Sequence, residues 1–484
     1  MNWKVISRNI GLALLVSALF MFLSVIVSIA EGNDSALAAL AISFTITFIV
    51  GIFPFIFVRK TDVISLKEGY VIITLSWLMS FIFGMLPYAL WGGPFTLANA
   101  WFESVSGFTT CGATILENVE ALPKSLLFWR ASTHFIGGLG VVVFLLLVIP
   151  ESSPMRMRLT NMELTSLSRS GYSSRTNKVV YIFAYVYLAL CGLAVIAYLL
   201  AGMSFFDAVC HAMSVVPTGG FSTRNLSIAS FDSRLIEGIT MVLMYLASLH
   251  FGVLYMTVIT RSLRPMRNPV FKFYTISAVV ITLFLAAGLK SSGECSAWGE
   301  SLWKGLFSTL AVTSTTGFAI IDNATWPFWM VAMLSAAGLI CGCAGSTASG
   351  IKVDRLIILF KSIGRYVNNI LHPNSVNEVR LGKRILRDEE VSPHLLYIGL
   401  YAVVIVVSTL LVLCTGTDPA NSLVGTISSL ANIGPASGDM GNLGNFNHLP
   451  TLSKFIFSVD MFLGRIEIYP VLAVLGMMLT KRNR

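Results

Sequence analysis

Four short segments recur along the chain with one chemistry in common. They read Thr110-Cys111-Gly112-Ala113-Thr114, Thr218-Gly219-Gly220-Phe221-Ser222, Thr315-Thr316-Gly317-Phe318-Ala319 and Asn432-Ile433-Gly434-Pro435-Ala436, with central glycines 108, 97 and 117 residues apart. Glycine enters strained φ/ψ regions at little cost, so a turn built on it can aim its own backbone carbonyls. Rings of such carbonyls replace the hydration shell of a cation leaving water. Four copies around one axis supply a ring, which makes the carbonyls of Thr110, Cys111, Gly112, Thr218, Gly219, Gly220, Thr315, Thr316, Gly317, Asn432, Ile433 and Gly434 the candidate cation ligands. A lone glycine in an apolar run reads as close helix packing, as Gly137, Gly138 and Gly140 do. Four at equivalent places carry a different meaning.

The elements that must hold these turns are short apolar stretches at 97–108, 205–216, 303–313 and 423–433. A helix of ~10 to 12 residues covers ~15 to 18 Å, too little to cross the ~30 Å hydrocarbon core. They are predicted as re-entrant half-helices, which survive at membrane depth only inside protein or beside a water-filled cavity. Their C-terminal, partly negative ends would face that cavity and favour a cation. Composition agrees with a membrane setting: 55% of the 484 residues are hydrophobic and 12% charged, against ~25% charged in soluble domains. Secreted disulfide-stapled, disordered and nucleic-acid-binding classes are excluded. The seven cysteines lie mostly in apolar runs, where Cys acts as a small hydrophobe. Neither a disulfide framework nor a zinc site follows, and Cys341-x-Cys343 reads as small packing.

Ten apolar runs are long enough to span: 10–30, 36–58, 70–91, 126–149, 179–201, 235–259, 273–289, 327–343 (resuming at 356), 395–414 and 455–480. The first exceeds the apolar core of a signal peptide and is read as a span. Assigning alternate loops to the cytoplasm puts 25 of the 33 Lys and Arg inside, at Lys4 and Arg8, Arg59 to Lys67, Arg156 to Lys178, Arg261 to Lys272, Lys352 to Arg387 and Lys481 to Arg484. By the positive-inside rule both termini are cytoplasmic. The expected fold is therefore an all-α integral membrane protein of ten transmembrane helices. Two N-terminal helices (1–68) precede four helix, pore-helix, filter, helix repeats in pseudo-fourfold arrangement, at 69–150, 175–262, 270–366 and 390–484.

Two anomalies point to a gate. The eighth span is interrupted by nine small residues, Gly342 to Gly350, whose backbone needs a cavity or protein beside it. Placed under the glycine turns, the loop Gly345, Ser346, Thr347, Ala348 and Ser349 would obstruct ions; a close-packed helix crossing is the alternative. No phosphate loop is formed, since Ile351 separates Gly350 from Lys352. Arg465 stands in the middle of the last span, a costly position for a charge. Asp460 and Glu467, five back and two ahead, are at the wrong helical spacing to neutralise it. It would act as a fixed positive charge below the filter or as a tie to carbonyls of another repeat. Glu103, Asp207, His211, His134 and His250 read as packing or capping residues. The six histidines form no His-Glu-x-x-His pattern, and an enzyme is not expected.

These segments, spans and loop resemble the Trk/Ktr/HKT superfamily of potassium transporters over essentially the whole chain, most closely its TrkH branch, which has the two extra leading spans. The resemblance implies four covalently linked repeats, each similar to a simple potassium-channel subunit, with Gly112, Gly220, Gly317 and Gly434 as filter glycines. Serine at the first position accompanies sodium transport in the plant branch, so Gly112 argues for potassium. Without the fuller Thr-Val-Gly-Tyr-Gly strip, weaker discrimination among potassium, rubidium and sodium is expected. The family has an intramembrane loop in its third repeat and an Arg at the place of Arg465, with a gating role. It further implies a bacterial inner-membrane location, a homodimer with one pore per protomer, and a cytosolic TrkA-type nucleotide-binding regulatory ring, supplied in trans, that works the gate on binding adenine nucleotides. Potassium is then the transported substrate and no cofactor is expected in the chain itself. A proton- or sodium-coupled potassium symporter is the alternative. The basic stretch Lys352 to Arg387 is a site for anionic lipid or an acidic protein, or a topology signal alone.

Overall fold

The computed structural model describes residues 1–58, 65–148, 176–375, 377–382 and 384–482. The basic positions Arg59, Lys60 and Lys383, and most of the cluster from Arg156 to Lys178, lie outside the described residues.

A chain in hydrocarbon must satisfy its own N–H and C=O groups, and a helix does so within one segment. The apolar runs accordingly form α1 (Trp3–Ala30) and α2 (Leu37–Phe57), followed by α3 (Leu66–Gly84) with its continuation α4 (Leu86–Trp91), α5 (Leu97–Phe108) and α6 (Lys124–Val148). Next come α7 (Thr176–Leu200), α8 (Phe205–Val215), α9 (Arg234–Ala247) and α10 (Phe251–Thr260). A third set comprises α11 (Pro269–Ser291), α12 (Trp298–Thr313), α13 (Phe328–Leu339) and α14 (Val353–Leu371), and a fourth α15 (Asp388–Leu413), α16 (Pro419–Ala431), α17 (Thr451–Arg465) and α18 (Tyr469–Arg482). Between α14 and α15 a small antiparallel hairpin pairs β1 (Val379–Leu381) with β2 (Arg384–Leu386), Val379 opposite Leu386. The chain is an all-α membrane protein. Its outer helices leave large apolar side chains exposed, among them Phe53 of α2, Tyr185 of α7, Phe284 of α11 and Val406 of α15, a surface suited to lipid rather than water.

Six described helices are long and apolar enough to cross a membrane, and eight spans result if each of two bent pairs counts as one. α6 and the interrupted pair α13 and α14 occupy the remaining two of the ten expected positions. Two runs expected as continuous spans are broken. The run 235–259 bends by 102° between α9 and α10, and the run 455–480 by 106° between α17 and α18. At the first break His250 caps α10, its Nδ1 accepting the Gly252 N–H at 3.0 Å. At the second, Pro470 follows directly: its ring lacks an N–H and clashes with the carbonyl four residues back, so the helix cannot run through. Glu467 and Ile468 there adopt left-handed φ of 60° and 45°.

The two leading helices pack on glycine. A Cβ at Gly11 would overlap the Gly51 carbonyl oxygen and crowd Pro54, so α1 and α2 approach backbone to backbone. Replacing Gly11 by Leu is expected to destabilise this pair by about 2 kcal/mol through overpacking. A lower Tm in detergent, with helical circular dichroism retained, would register the effect.

Candidate functional site

The four short helices α5, α8, α12 and α16 end alike. In each, two backbone hydrogen bonds close the last turn: Cys111 N–H to Ser106 O at 2.9 Å and Thr110 N–H to Gly107 O at 3.1 Å; Gly219 to Ser214 at 2.8 Å and Thr218 to Val215 at 3.1 Å; Thr316 to Ala311 at 2.9 Å and Thr315 to Val312 at 3.0 Å; Ile433 to Ser428 at 2.9 Å and Asn432 to Ser429 at 3.2 Å. This is the paired cap that requires a left-handed residue just past the helix. That residue is Thr110, Thr218, Thr315 or Asn432, at φ of 56°, 61°, 58° and 54°. Non-glycine residues occupy this region at a cost and stay there only when their surroundings dictate it. Two residues on, Gly112, Gly220, Gly317 and Gly434 also have positive φ, at 82°, 80°, 76° and 96°.

The glycines close a circle. A Cβ on Gly112 would overlap the carbonyl oxygen of Gly219, one on Gly220 that of Thr316, one on Gly317 that of Ile433, and one on Gly434 that of Cys111. Each segment thus abuts the carbonyl preceding the next segment's glycine, and the fourth returns to the first. All four glycines line a single open cavity, walled also by Glu117, Arg130, Arg224, Asn225 and Asn442. Thr110, Cys111, Thr218, Thr315, Thr316, Asn432 and Ile433 are buried around it.

Side chains brace the turns from behind. The Glu103 carboxylate on α5 accepts hydrogen bonds from the Thr114 hydroxyl at 3.0 Å and the Ile115 N–H at 3.1 Å. It also pairs with Arg130 of α6 at 2.8 Å, with both side chains at 2% exposure or less. In the second segment His211 Nε2 meets the Ser222 hydroxyl at 2.9 Å, while Asp207 holds Thr223 at 2.6 Å and Arg224 at 2.9 Å. His134 stacks on Phe221 with ring centres 4.1 Å apart. In the fourth, Asn432 Nδ2 donates to Met461 O at 3.1 Å, tying the turn to α17.

The interruption between α13 and α14 runs directly against the glycine segments. Ser349 N–H donates to Thr315 Oγ1 at 3.2 Å, and Thr347 Oγ1 donates to Val216 O at 2.8 Å, one residue before Pro217 and Thr218. Thr347, Ala348 and Ser349 are buried, and Gly345 turns at φ 78° against the His250 ring. Ser346 bonds back to Cys343 O at 2.7 Å. Arg465, at the end of α17, donates to Thr347 O at 3.0 Å, Ser349 Oγ at 3.1 Å and Gly137 O of α6 at 2.8 Å. The arginine therefore sits at a helix break instead of mid-span, and both a loop contact and a tie to the first repeat are realised. Glu467 pairs with Arg355 at 2.6 Å, and Asp460 with Ser408 at 2.6 Å.

Some residues at this site escape the sequence pattern. Arg130 is a charge inside the apolar run 126–149, a signal that could have been followed to Glu103, the opposite charge in the preceding half-helix. Glu467 is likewise a charge inside an apolar run, 455–480, but its partner Arg355, 112 residues away, is not legible from spacing. Two half-helices also begin earlier than expected, α12 at Trp298 and α16 at Pro419, where Asp418 caps the first turn and proline suits the first helical position.

Apolar helices surrounding a buried circle of backbone carbonyls define a membrane-spanning transport protein. The family described as "TrkH: Cation transport protein" matches residues 37–482. Among relatives, the Trk system potassium uptake protein TrkH of Halomonas elongata is 31% identical with 98% of each chain covered. That of Salmonella typhimurium is 29% identical, again over 98% of both, and TrkG of Escherichia coli is 29% identical over 91% of both. The crystal structure of the potassium transporter TrkH from Vibrio parahaemolyticus superposes with a TM-score of 0.88 at 27% identity, covering 98% of this chain and 99% of that one. The chain belongs to the TrkH family of cation transport proteins, and it is a transporter rather than an enzyme.

Gly220→Ala and Gly317→Ala each add a Cβ to a left-handed residue facing a carbonyl. With strain of order 1–3 kcal/mol per site, each is expected to cut cation flux at least about tenfold. Gly192→Ala, in open space on α7, should leave flux at the wild-type level in the same vesicle assay.

Proposed function

We propose that this chain takes up potassium across a bacterial inner membrane, through a channel-like pore on the axis of the glycine circle, with both termini in the cytoplasm. The observation that carries the reading is the cyclic contact of Gly112, Gly220, Gly317 and Gly434 with the carbonyls of Gly219, Thr316, Ile433 and Cys111. Four segments of one chain thereby bring backbone oxygens to a common axis, the arrangement that substitutes for a cation's hydration shell. Segments 69–150, 175–262, 270–366 and 390–484 are the four repeats, each contributing one filter turn. Glycine at all four positions and the potassium uptake activity named for the relatives support potassium, with rubidium following it.

The loop Gly345 to Ser349 is the gate, held shut by Arg465. Its burial beneath the filter turns and its bonds to Thr315, Val216 and Arg465 support that role. A fixed guanidinium below the filter also raises the barrier for cations. A homodimer, and a cytosolic nucleotide-binding ring that releases the loop on binding adenine nucleotide, complete the proposal on the strength of the family resemblance.

Cation uptake into liposomes holding the purified chain alone, with potassium, rubidium, sodium and lithium compared and proton flux monitored, tests the core of this reading. Potassium and rubidium are expected ahead of sodium and lithium without obligatory proton or sodium movement; strict coupling would replace the pore with a symporter. Gly112→Ser is expected to raise sodium permeation relative to potassium. Arg465→Ala, or deletion of residues 345–349, is expected to raise flux in the absence of any regulatory partner; unchanged flux in both removes the loop from the gate.

A further inference from the structure

The filter turns are strained, and the restraint on them is unequal around the circle. Arg130 reaches two consecutive turns at once. Its Nε donates to Glu103 at 2.8 Å, one terminal nitrogen to Thr114 Oγ1 at 3.3 Å and the other to Ser222 O at 3.3 Å, and its guanidinium carbon lies 4.0 Å from the Phe221 ring centre. Thr114 and Ser222 each stand two residues beyond a filter glycine. Glu103 in turn grips Thr114 and the Ile115 N–H. The pair therefore fixes the separation of the first and second turns.

No equivalent serves the other half among the described residues. The position nine residues before the filter glycine is Glu103, His211, Ser308 and Gly425 in the four repeats, so the third and fourth repeats carry no charged group there. The third turn is linked outward by Ala319 N–H to Ser227 Oγ at 3.2 Å, and the fourth by Asn323 to Ala436 O at 3.4 Å. Val312, Asn323, Leu334, Ser428, Ile433 and Pro435 line a cavity beside the fourth turn, where Ser428 Oγ donates to Pro435 O at 2.6 Å. A buried ion pair is a poor way to gain stability, since apolar packing of the same volume serves as well or better. What it provides is fixed distance and orientation through several charge-assisted bonds.

We infer that Glu103 and Arg130 are positioning residues for ion discrimination: together they set the spacing of the first two filter turns, and so hold the ring at the size that favours potassium over sodium. This rests on the filter reading above. Neutralising either partner has opposite electrostatic effects. Glu103→Gln leaves a bare guanidinium by the cavity that the four glycines line and should slow all cations, whereas Arg130→Gln leaves a bare carboxylate there. The inference nevertheless demands the same change in discrimination from both.

The test is potassium and sodium uptake by the full chain in liposomes, for wild type, Glu103→Gln, Arg130→Gln, the double variant and Thr114→Val. Thr114→Val keeps the ion pair and the side-chain shape but removes the hydroxyl that both partners bond, leaving the Ile115 N–H and Ser222 O bonds in place, so it reports on that link even if the charge variants fail to reach the membrane. The potassium-to-sodium ratio is expected to fall about tenfold in each folded variant, the scale of a lost hydrogen bond to a charged group. A wild-type ratio in Thr114→Val and in every folded charge variant overturns the inference, even if absolute flux or protein yield has dropped, because that pattern is purely structural or electrostatic. A wild-type protein with no preference for potassium would instead sink the filter reading itself.

Discussion

Each of Gly112, Gly220, Gly317 and Gly434 stands where any side chain would collide with a carbonyl of the next segment, and this close approach constrains the rest of the molecule. Four backbone strands can come this near one axis only if none carries a side chain between them. They can stay there inside a membrane only if their polar groups are satisfied by protein. The short helices supply the first support, since each closes with the same two-bond cap on a left-handed Thr or Asn. The surrounding long helices supply the second, with apolar faces outward. Each short helix stops at that cap, where Thr110, Thr218, Thr315 or Asn432 turns to positive φ.

The interrupted helices form one device with the loop that lies under the circle. The break between α9 and α10 frees the Ser248 carbonyl to accept the Cys343 N–H at 2.8 Å, and the Phe251 N–H to donate to Gly345 O at 3.0 Å. The break between α17 and α18 brings Arg465 to the middle of the loop and Glu467 to Arg355, just beyond its end. Arg355 lies 3.8 Å from the Tyr397 ring centre, which joins α14 to α15. Lys352, in a left-handed turn, donates to Ala348 O. Irregular backbone in the loop is thus matched by irregular backbone in its neighbours, each satisfying what the other exposes.

Much of this is legible in the residues alone. Glycines at matching places after short apolar stretches mark the four turns, because no other residue tolerates both the φ and the crowding. A run of nine small residues marks the loop for the same reason that it cannot make a stable lipid-facing helix. Arg465 marks itself by its cost in an apolar run. The breaks do not announce themselves so well. Hydropathy sums over a window and is blind to direction, so 235–259 and 455–480 read as spans although each turns through more than a right angle; Pro470 is the one local sign. Glu103 reads as a packing or capping residue, and Arg130 is missed inside the apolar run 126–149. Their pairing is set by how α5 folds back on α6, which no spacing rule for a single helix contains.

All four turns reside on one polypeptide and no two have the same sequence. A pore made from four identical subunits receives every substitution fourfold, so a change at its narrowest point is all or nothing. Here a mutation touches one quadrant and leaves three as they were. Transport preference can then change in small increments, with one quadrant free to vary while its neighbours keep their geometry. Charged pairs hold two quadrants, Glu103 with Arg130 and Asp207 with Arg224, while hydroxyl and amide groups hold the other two.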